Sequence, residues 1–481
     1  MAVSIDSPLL TSNPTIESYL DDGLMYLRSK GVDYGDLRQV ITTKQGLTLK
    51  NTEVESFDEC VDGGVGVRIL HQGAWGFAST ANRNADALKA TIDRAIEIAD
   101  AARLTTKKPV KMSEEQVHQA HYHTPVVIDP FLVPLEDKLA LLTRLQDMMP
   151  ADPRIMAARC SVNAHRFDKQ FLSTEGARIS QDITGCGAGI EVTTAKDGEM
   201  QKRSFPSNFG GDMANKGWEH VLSLNLGDHC ERVRREALEL LDAPVLPAGK
   251  HDLVILPNQM MLQVHESIGH PVELDRVYGE EISLAGGSFA QPHMVLDGTI
   301  PGGLGCFGFD DEGVATLRED IIRDGIFVGY LKSRETAARL GPEIHANGAM
   351  RAETWNRLPI VRMVSINLEP REGTLEEIIG DTKRGFLLGT NKVWSIDDMR
   401  VNFQFGCEAA WEIIDGKLGR LHRNPIYSGI TPEFWNSCDA IGGPGSWELY
   451  GLPNCGKGDP MQTIQVSHGC PPARFRQVQC L

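Results

Sequence analysis

The sequence predicts an α+β architecture: an N-terminal α/β domain with mixed or antiparallel sheets and long helices, then a C-terminal, mostly antiparallel, barrel-like β domain carrying one short histidine-bearing helix. Three observations support this. Helical periodicity is concentrated in the first half, up to Leu241, whereas strand-like runs and turns predominate after Lys250. Glycine is abundant at 48 residues and aromatics make up 6% of the chain, which suits short strands and many turns. Ala243-Pro-Val-Leu-Pro-Ala-Gly249 is the best linker in the chain. The expected domains are therefore residues 1–242 and 243–481, with a sub-boundary near 105–125.

In order, Asn13-Pro14 reads as a cap and first turn, and Ile16, Leu20, Leu24 and Leu27 mark an amphipathic helix ending near Gly31. Arg38–Thr43 and Gly46–Lys50 read as strands, and Gly63–Leu70 with Ala74–Ala78 as a hairpin turning at His71-Gln72-Gly73. Asn84 is a candidate cap for a long helix over Ala85–Arg103. Thr105–Pro125 reads as a solvated loop, and its His118, His121 and His123 lack acidic or thiol partners at ligand spacing. Pro134–Met149 and Trp218–Leu241 are expected to be helical. Arg154–Phe171 and Ala177–Thr194 are expected to be sheet, the second with a glycine-rich bend at Gly185–Gly189. Beyond the linker, short helices are expected near Arg334–Leu340 and Thr374–Ile379. Strands are expected at Val361–Asn367, Asn402–Phe405 and Ala409–Ile414, the last turning at Asp415-Gly416, in a curved sheet or partly closed barrel.

Charge and composition narrow the function. The 48 basic and 65 acidic residues give a formal net charge of −17, so the footprint of a nucleic-acid binder is missing. No run approaches the roughly 18 apolar residues of a membrane span. Met1–Asn13 lacks the basic and apolar regions of a secretory signal. The expectation is a cytoplasmic protein with neither nucleic acid nor membrane as partner. The 10 cysteines, with no C-x-x-C pair, read as reduced thiols.

The stretch richest in chemistry is Val264-His265-Glu266-Ser267-Ile268-Gly269-His270-Pro271. Neutral imidazole is the commonest metal ligand, and a glutamate directly after the first histidine is placed to take a proton from metal-activated water. The spacing is one residue longer than in HExxH peptidases. On a regular helix, positions i and i+5 lie about 140° apart. Both rings reach one ion only if the helix widens into a π-bulge or ends near Gly269, where glycine supplies backbone freedom and Pro271 disfavours continuation.

Two histidines make half a zinc site, so further ligands must come from elsewhere. The glycine-rich end offers Cys455 within Gly451-Leu-Pro-Asn-Cys-Gly-Lys-Gly458. This segment nearly matches a phosphate loop, but Gly458 stands where the magnesium-binding hydroxyl belongs, and a strand-like run, Gln462–Ser467, follows instead of a helix. By composition Glu273, Asp275 or Cys470 serve equally as third ligand. A cysteine peptidase pairing Cys455 with His468 ranks lower, since it leaves the histidine motif without a role.

Taken together, His265-Glu-Ser-Ile-Gly-His270 running into Glu273-Leu-Asp275, then Phe309-Asp-Asp-Glu-Gly313, Pro359 through Arg362-Met363, Asn454-Cys-Gly-Lys-Gly458 and Val466-Ser-His-Gly469 resemble the TldD/PmbA family of metallopeptidases, on its TldD side, over nearly the whole chain. The resemblance implies a zinc (Zn2+) site from His265, His270 and Cys455, with Glu266 as general base, acting on small or unfolded peptides. It implies a homodimer, or a heterodimer with a PmbA/TldE-like paralogue lacking the His-Glu motif. Asp310, Asp311, Glu312 and His468 are candidate substrate-binding residues, with a solvated acidic turn the plainer alternative for the first three. The competing functional class is a non-catalytic regulatory or peptide-binding subunit, in line with the family's older description as a modulator of DNA gyrase.

Overall fold

The computed structural model describes residues 9–12, 14–149, 151–279 and 293–481. In the first half, Tyr34–Lys50 pairs antiparallel with Glu53–His71 on one side and Ile155–Ser173 on the other, and Ile155–Ser173 pairs with Arg178–Lys196. These long strands form the middle of a nine-stranded sheet. Helices cover one face at both ends. Near one end, Leu20, Leu24, Leu88 and Ile92 pack on Leu37 and Val67. Near the other, Leu142, Leu145, Cys230 and Val233 pack on Leu47, Val162 and Ile190. Each helix thus buries the stripe its periodicity defines.

The second half is built on a closed barrel of Gly249–Ile255, Arg384–Ile396, Asn402–Ile414, Ile426–Ile430 and Ala473–Cys480. Closure comes from the first strand, which pairs parallel with Arg384–Ile396 and antiparallel with Ala473–Cys480. The expected partly closed barrel is therefore complete. The helix Pro257–Val264 follows the first barrel strand and contributes Met260, Met261 and Val264 to a core shared with Phe405, Tyr427 and Phe475. Outside the barrel, Glu448–Lys457 and Gln462–Cys470 form a hairpin that carries Cys455.

Several local expectations need correction. The first helix is Ser18–Ser29, capped at Glu17; Asn13 lies outside the described residues. Arg38–Thr43 and Gly46–Lys50 are one strand, as are Asn402–Phe405 and Ala409–Ile414, because neighbours on both sides supply continuous hydrogen-bond partners. The expected loop at Thr105–Pro125 contains the strand Gln119–His123, parallel to Arg178–Lys196, with His121 Nδ1 2.8 Å from Ser180 Oγ. Gly185–Gly189 is not a bend. The strand runs on through it, and a Cβ at Gly187 would lie 2.1 Å from Asp212 O, so glycine makes room for the strand Asp212–Ala214 that pairs antiparallel with it. Trp218–Leu241 divides into Glu219–Ser223 and Leu226–Asp242 at Asn225, whose φ is 45°. Val361–Asn367 breaks into Ile360–Val361 and Ile366–Leu368. Asn84 does cap Ala85–Arg103, its Oδ1 accepting from Ala87 N at 2.9 Å.

Candidate metal centre

After Val264 the helix widens. Residues His265–Gly269 form one π-turn, and His270 N–H donates to His265 O five residues back. His270–Val272, with Pro271 inside it, then tightens into a 3-10 turn that ends at the extended Glu273. The widened turn brings both imidazoles to one face, with ring centroids 4.8 Å apart. The reason for Gly269 differs from the expected one. Its φ of −60° and ψ of −55° are ordinary helical values. What matters is space: a Cβ there would lie 2.1 Å from Met363 Sδ.

Cys455 completes a buried triad. The ligand atoms of His265, His270 and Cys455 all lie within 4.8 Å of one another, and Cys455 Sγ is 3.8 Å from His270 Nε2. A tetrahedral zinc with bonds of about 2.0–2.3 Å spaces its nitrogen and sulfur ligands by roughly 3.5 Å. One thiolate and two neutral imidazoles are a donor set suited to that ion. Of the other third-ligand candidates, Glu273 approaches the far nitrogen of His270, Asp275 pairs with Lys457, and Cys470 lies outside the triad.

Hydrogen bonds fix the tautomers. His468 Nδ1–H donates to Ile366 O at 2.8 Å, leaving its Nε2 as acceptor for His265 Nδ1–H, also at 2.8 Å. His265 Nε2 therefore keeps its lone pair. His270 Nδ1–H donates to Glu273 Oε2 at 3.1 Å, leaving Nε2 free towards Cys455. This carboxylate–imidazole arrangement is the usual outer support of a metal-binding histidine. Burial holds His265 down at about 4 and His468 well below the ordinary imidazole value, so both are neutral. Burial pushes the Cys455 thiol up, but His270 and Arg362 outweigh it and hold the thiol below its ordinary range. Arg362 also fixes the hairpin by donating to Cys455 O at 2.5 Å and Gln462 O at 3.0 Å.

Glu266 is buried beside the triad. Burial raises its carboxyl, while His270, His265 and Arg400 lower it further, so the group is ionised. Arg400 Nη1 donates to Glu266 Oε2 at 2.8 Å from the connection between Arg384–Ile396 and Asn402–Ile414. Nothing in the local sequence around Arg400 signals that contact.

The acidic turn is not solvated. Asp310, Asp311 and Glu312 are 2–3% exposed. Asp310 accepts from the Glu312, Val314 and Met350 amides. Asp311 pairs with Arg38 and Lys169, and Glu312 with Arg68. The turn thus ties the second half to cations of the first-half sheet. Lys457, the near-phosphate-loop lysine, sits in a strand and is engaged by Asp275 at 2.7 Å, Glu273 at 3.5 Å and Val361 O at 2.7 Å.

The PmbA/TldA metallopeptidase domain models match this chain three times: domain 1 over residues 35–99, the central domain over 128–241 and the C-terminal domain over 248–480. A metalloprotease of Methanocaldococcus jannaschii is 28% identical over 444 residues, covering 91% of this chain and 95% of the relative. Among solved structures, a Thermotoga maritima protein titled as a candidate modulator of a DNA gyrase superposes with TM-score 0.76 at 15% identity, covering 97% of this chain and 100% of that one. TldE from Thermococcus kodakarensis superposes with TM-score 0.73 at 16% identity, covering 96% and 99%.

Proposed function

The chain belongs to the PmbA/TldD family of metallopeptidases, and from that premise we propose that it is a zinc-dependent peptidase of small or unfolded peptides, with His265, His270 and Cys455 as ligands and Glu266 as general base. The observation that carries this reading is the convergence of two tautomerically fixed imidazoles and one depressed thiol within 4.8 Å, beside an ionised glutamate. Bound zinc supplies Lewis acidity and brings the pKa of water to about 7. Glu266 then accepts a proton on the oxygen that does not face Arg400 and returns it to the leaving amine. Arg400 orients that carboxylate. His468 and Glu273 hold the two imidazoles so that only their Nε2 lone pairs face the centre. Substrates that add as an extended strand are bound mainly through their backbone, which favours unfolded chains over folded ones.

The experiment is metal analysis of purified protein combined with Glu266→Ala. About one zinc per chain in both proteins, with peptide cleavage only in the wild type, supports the reading. Unchanged cleavage in the variant assigns the base elsewhere.

A second reading is a non-catalytic regulatory or peptide-binding subunit of a TldD/PmbA-type complex. The Arg400 ion pair, which occupies the carboxylate proposed as base, favours it. Metal-free protein that still binds unfolded peptide supports this alternative. With a charge of −17, direct DNA binding is disfavoured in either case. The proposed setting is cytoplasmic, as a homodimer or a heterodimer with a TldE-like paralogue. The proposed domains remain residues 1–242 and 243–481. Among the described residues, no helix is long and apolar enough to cross a membrane.

A further inference from the structure

A cavity of about 220 Å³ lies between the first-half sheet and the loops of the second half. Val40, Phe167 and Ile183 line it from the sheet, and Phe307, Ile464 and Arg351 from the other side. It is smaller than the roughly 300–1,000 Å³ of a drug-sized site, so it suits the end of a chain and not a folded segment. Its wall adjoins the metal centre. Ile464 is the register partner of Cys455 in the hairpin Glu448–Lys457/Gln462–Cys470, so both side chains leave the hairpin on one face.

The charges around the cavity are unevenly paired. Lys169 is taken by Asp311, which Arg38 also engages. Asp310 is consumed by backbone amides. Asp62 accepts from Trp355 Nε1 at 3.0 Å. Glu353 lines the cavity without forming an ion pair to Arg351. Arg351 itself donates Nη1 to Met363 O at 3.0 Å and Gln465 O at 2.6 Å, and its guanidinium lies 4.8 Å from the centroid of Phe307. Among the described residues no carboxylate pairs with it. Burial, reinforced by Arg362, lowers it to about 10, which leaves it charged at neutral pH. This half-buried guanidinium is held by two carbonyls and an aromatic face, with Asp311 beyond ion-pair distance, and its remaining donors are open to an anion from outside. The planar fork of arginine matches a carboxylate bidentately, the anion a peptide substrate carries.

We propose that this cavity is a carboxylate subsite for the substrate peptide, with Arg351 as the residue that recognises it. The inference rests on the peptidase reading for its use in catalysis, but not for the binding itself. The carboxylate comes either from a free chain terminus or from an acidic side chain, and the two sources predict different behaviour. A terminal carboxylate restricts the enzyme to trimming short peptides from their C-terminal end. An acidic side chain permits internal cleavage.

The test uses three fluorogenic peptides of one apolar sequence: a free acid, its C-terminal amide, and an amide ending in glutamate. Each is measured for kcat/KM with wild-type, Arg351→Gln and Arg351→Lys proteins, and for binding to the metal-free proteins by fluorescence anisotropy. The expected result is at least about tenfold discrimination by the wild type in favour of a carboxylate-bearing peptide over the plain amide. Arg351→Gln should bring that ratio close to one while still cleaving the amide, and Arg351→Lys should keep part of it. Discrimination confined to the free acid identifies the terminal source, and recovery with the glutamate amide identifies the side chain. Equal wild-type binding of all three peptides overturns the proposal, as does discrimination that survives in Arg351→Gln. If Arg351→Gln does not fold, the wild-type comparison alone decides. Carboxylate-selective binding without cleavage of any peptide keeps the subsite and removes the peptidase reading.

Discussion

His468 Nε2 accepts a hydrogen bond from His265 Nδ1 at 2.8 Å, across 203 positions of sequence. The contact joins the hairpin that carries Cys455 to the π-turn that begins at His265 and leads into His270. It sets the tautomer of His265 without placing His468 among the ligands. Beside the substrate contact expected of His468, its hydrogen bonds suit it to hold His265, a role we propose for it. Replacing it with phenylalanine keeps the bulk and removes the acceptor. His468→Phe should fold and lose about 10–100-fold in zinc affinity, measured by competition with a chromogenic chelator. An affinity equal to wild type would show that the hydrogen bond does not support the site.

Arg68 joins two buried carboxylates, Asp36 at 2.8 Å on the neighbouring strand and Glu312 at 2.8 Å in the acidic turn. Arg68→Met strands both. Breaking a buried pair by removing one member costs about 3–5 kcal/mol, so the urea midpoint should fall clearly. Glu312→Gln leaves Arg68 still paired with Asp36 and should cost less. Equal losses would mean that the turn, not the cation, holds the halves together.

Asp311 gives a pH dependence with a definite sign. Burial raises its carboxyl, but Lys169 and Arg38 outweigh that and hold it far below the ordinary value of about 4. A depressed carboxylate contributes stability that is fully present above its unfolded pKa. That contribution is lost as pH falls through the folded pKa. Asp311→Asn should therefore be less stable than wild type at pH 7, by about 3 kcal/mol, and the gap should shrink progressively below about pH 4. A gap that stays constant from neutrality into acid would show that packing, and not charge, explains the loss.

Much of what depended on neighbours in sequence was legible from sequence. His265, Glu266 and His270 lie within six residues, and their spacing called for a helix that either widens or ends near Gly269; the structure contains the widening. The barrel was foreshadowed by short strands, though its closure by Gly249–Ile255 depends on pairing with both Arg384–Ile396 and Ala473–Cys480. Contacts made by folding were not legible. Cys455 was one thiol among several until the family resemblance singled it out. Arg400 meets Glu266 from a connection 134 residues away and carries no local signal. The acidic turn looked solvated because its cations, Arg38, Arg68 and Lys169, lie on strands of the other half.

Gly269 separates two explanations for the same residue. If glycine were needed for backbone freedom, alanine would be strained. At φ −60° and ψ −55° alanine is not strained, and helix propensity alone favours it by about 1 kcal/mol. The obstacle is Met363, whose Sδ would lie 2.1 Å from the new Cβ in a fully buried environment. Moving a packed methionine costs about 1–3 kcal/mol, and the displacement falls on the turn that sets the distance between His265 and His270. Gly269→Ala should therefore lower thermal stability and weaken zinc binding together. Adding Met363→Ala, which removes the clashing sulfur, should recover zinc affinity even though it leaves a cavity of its own. If Gly269→Ala is neutral or stabilising, steric space is not why glycine stands there. If the double variant binds zinc no better than the single one, the sulfur is not the obstacle.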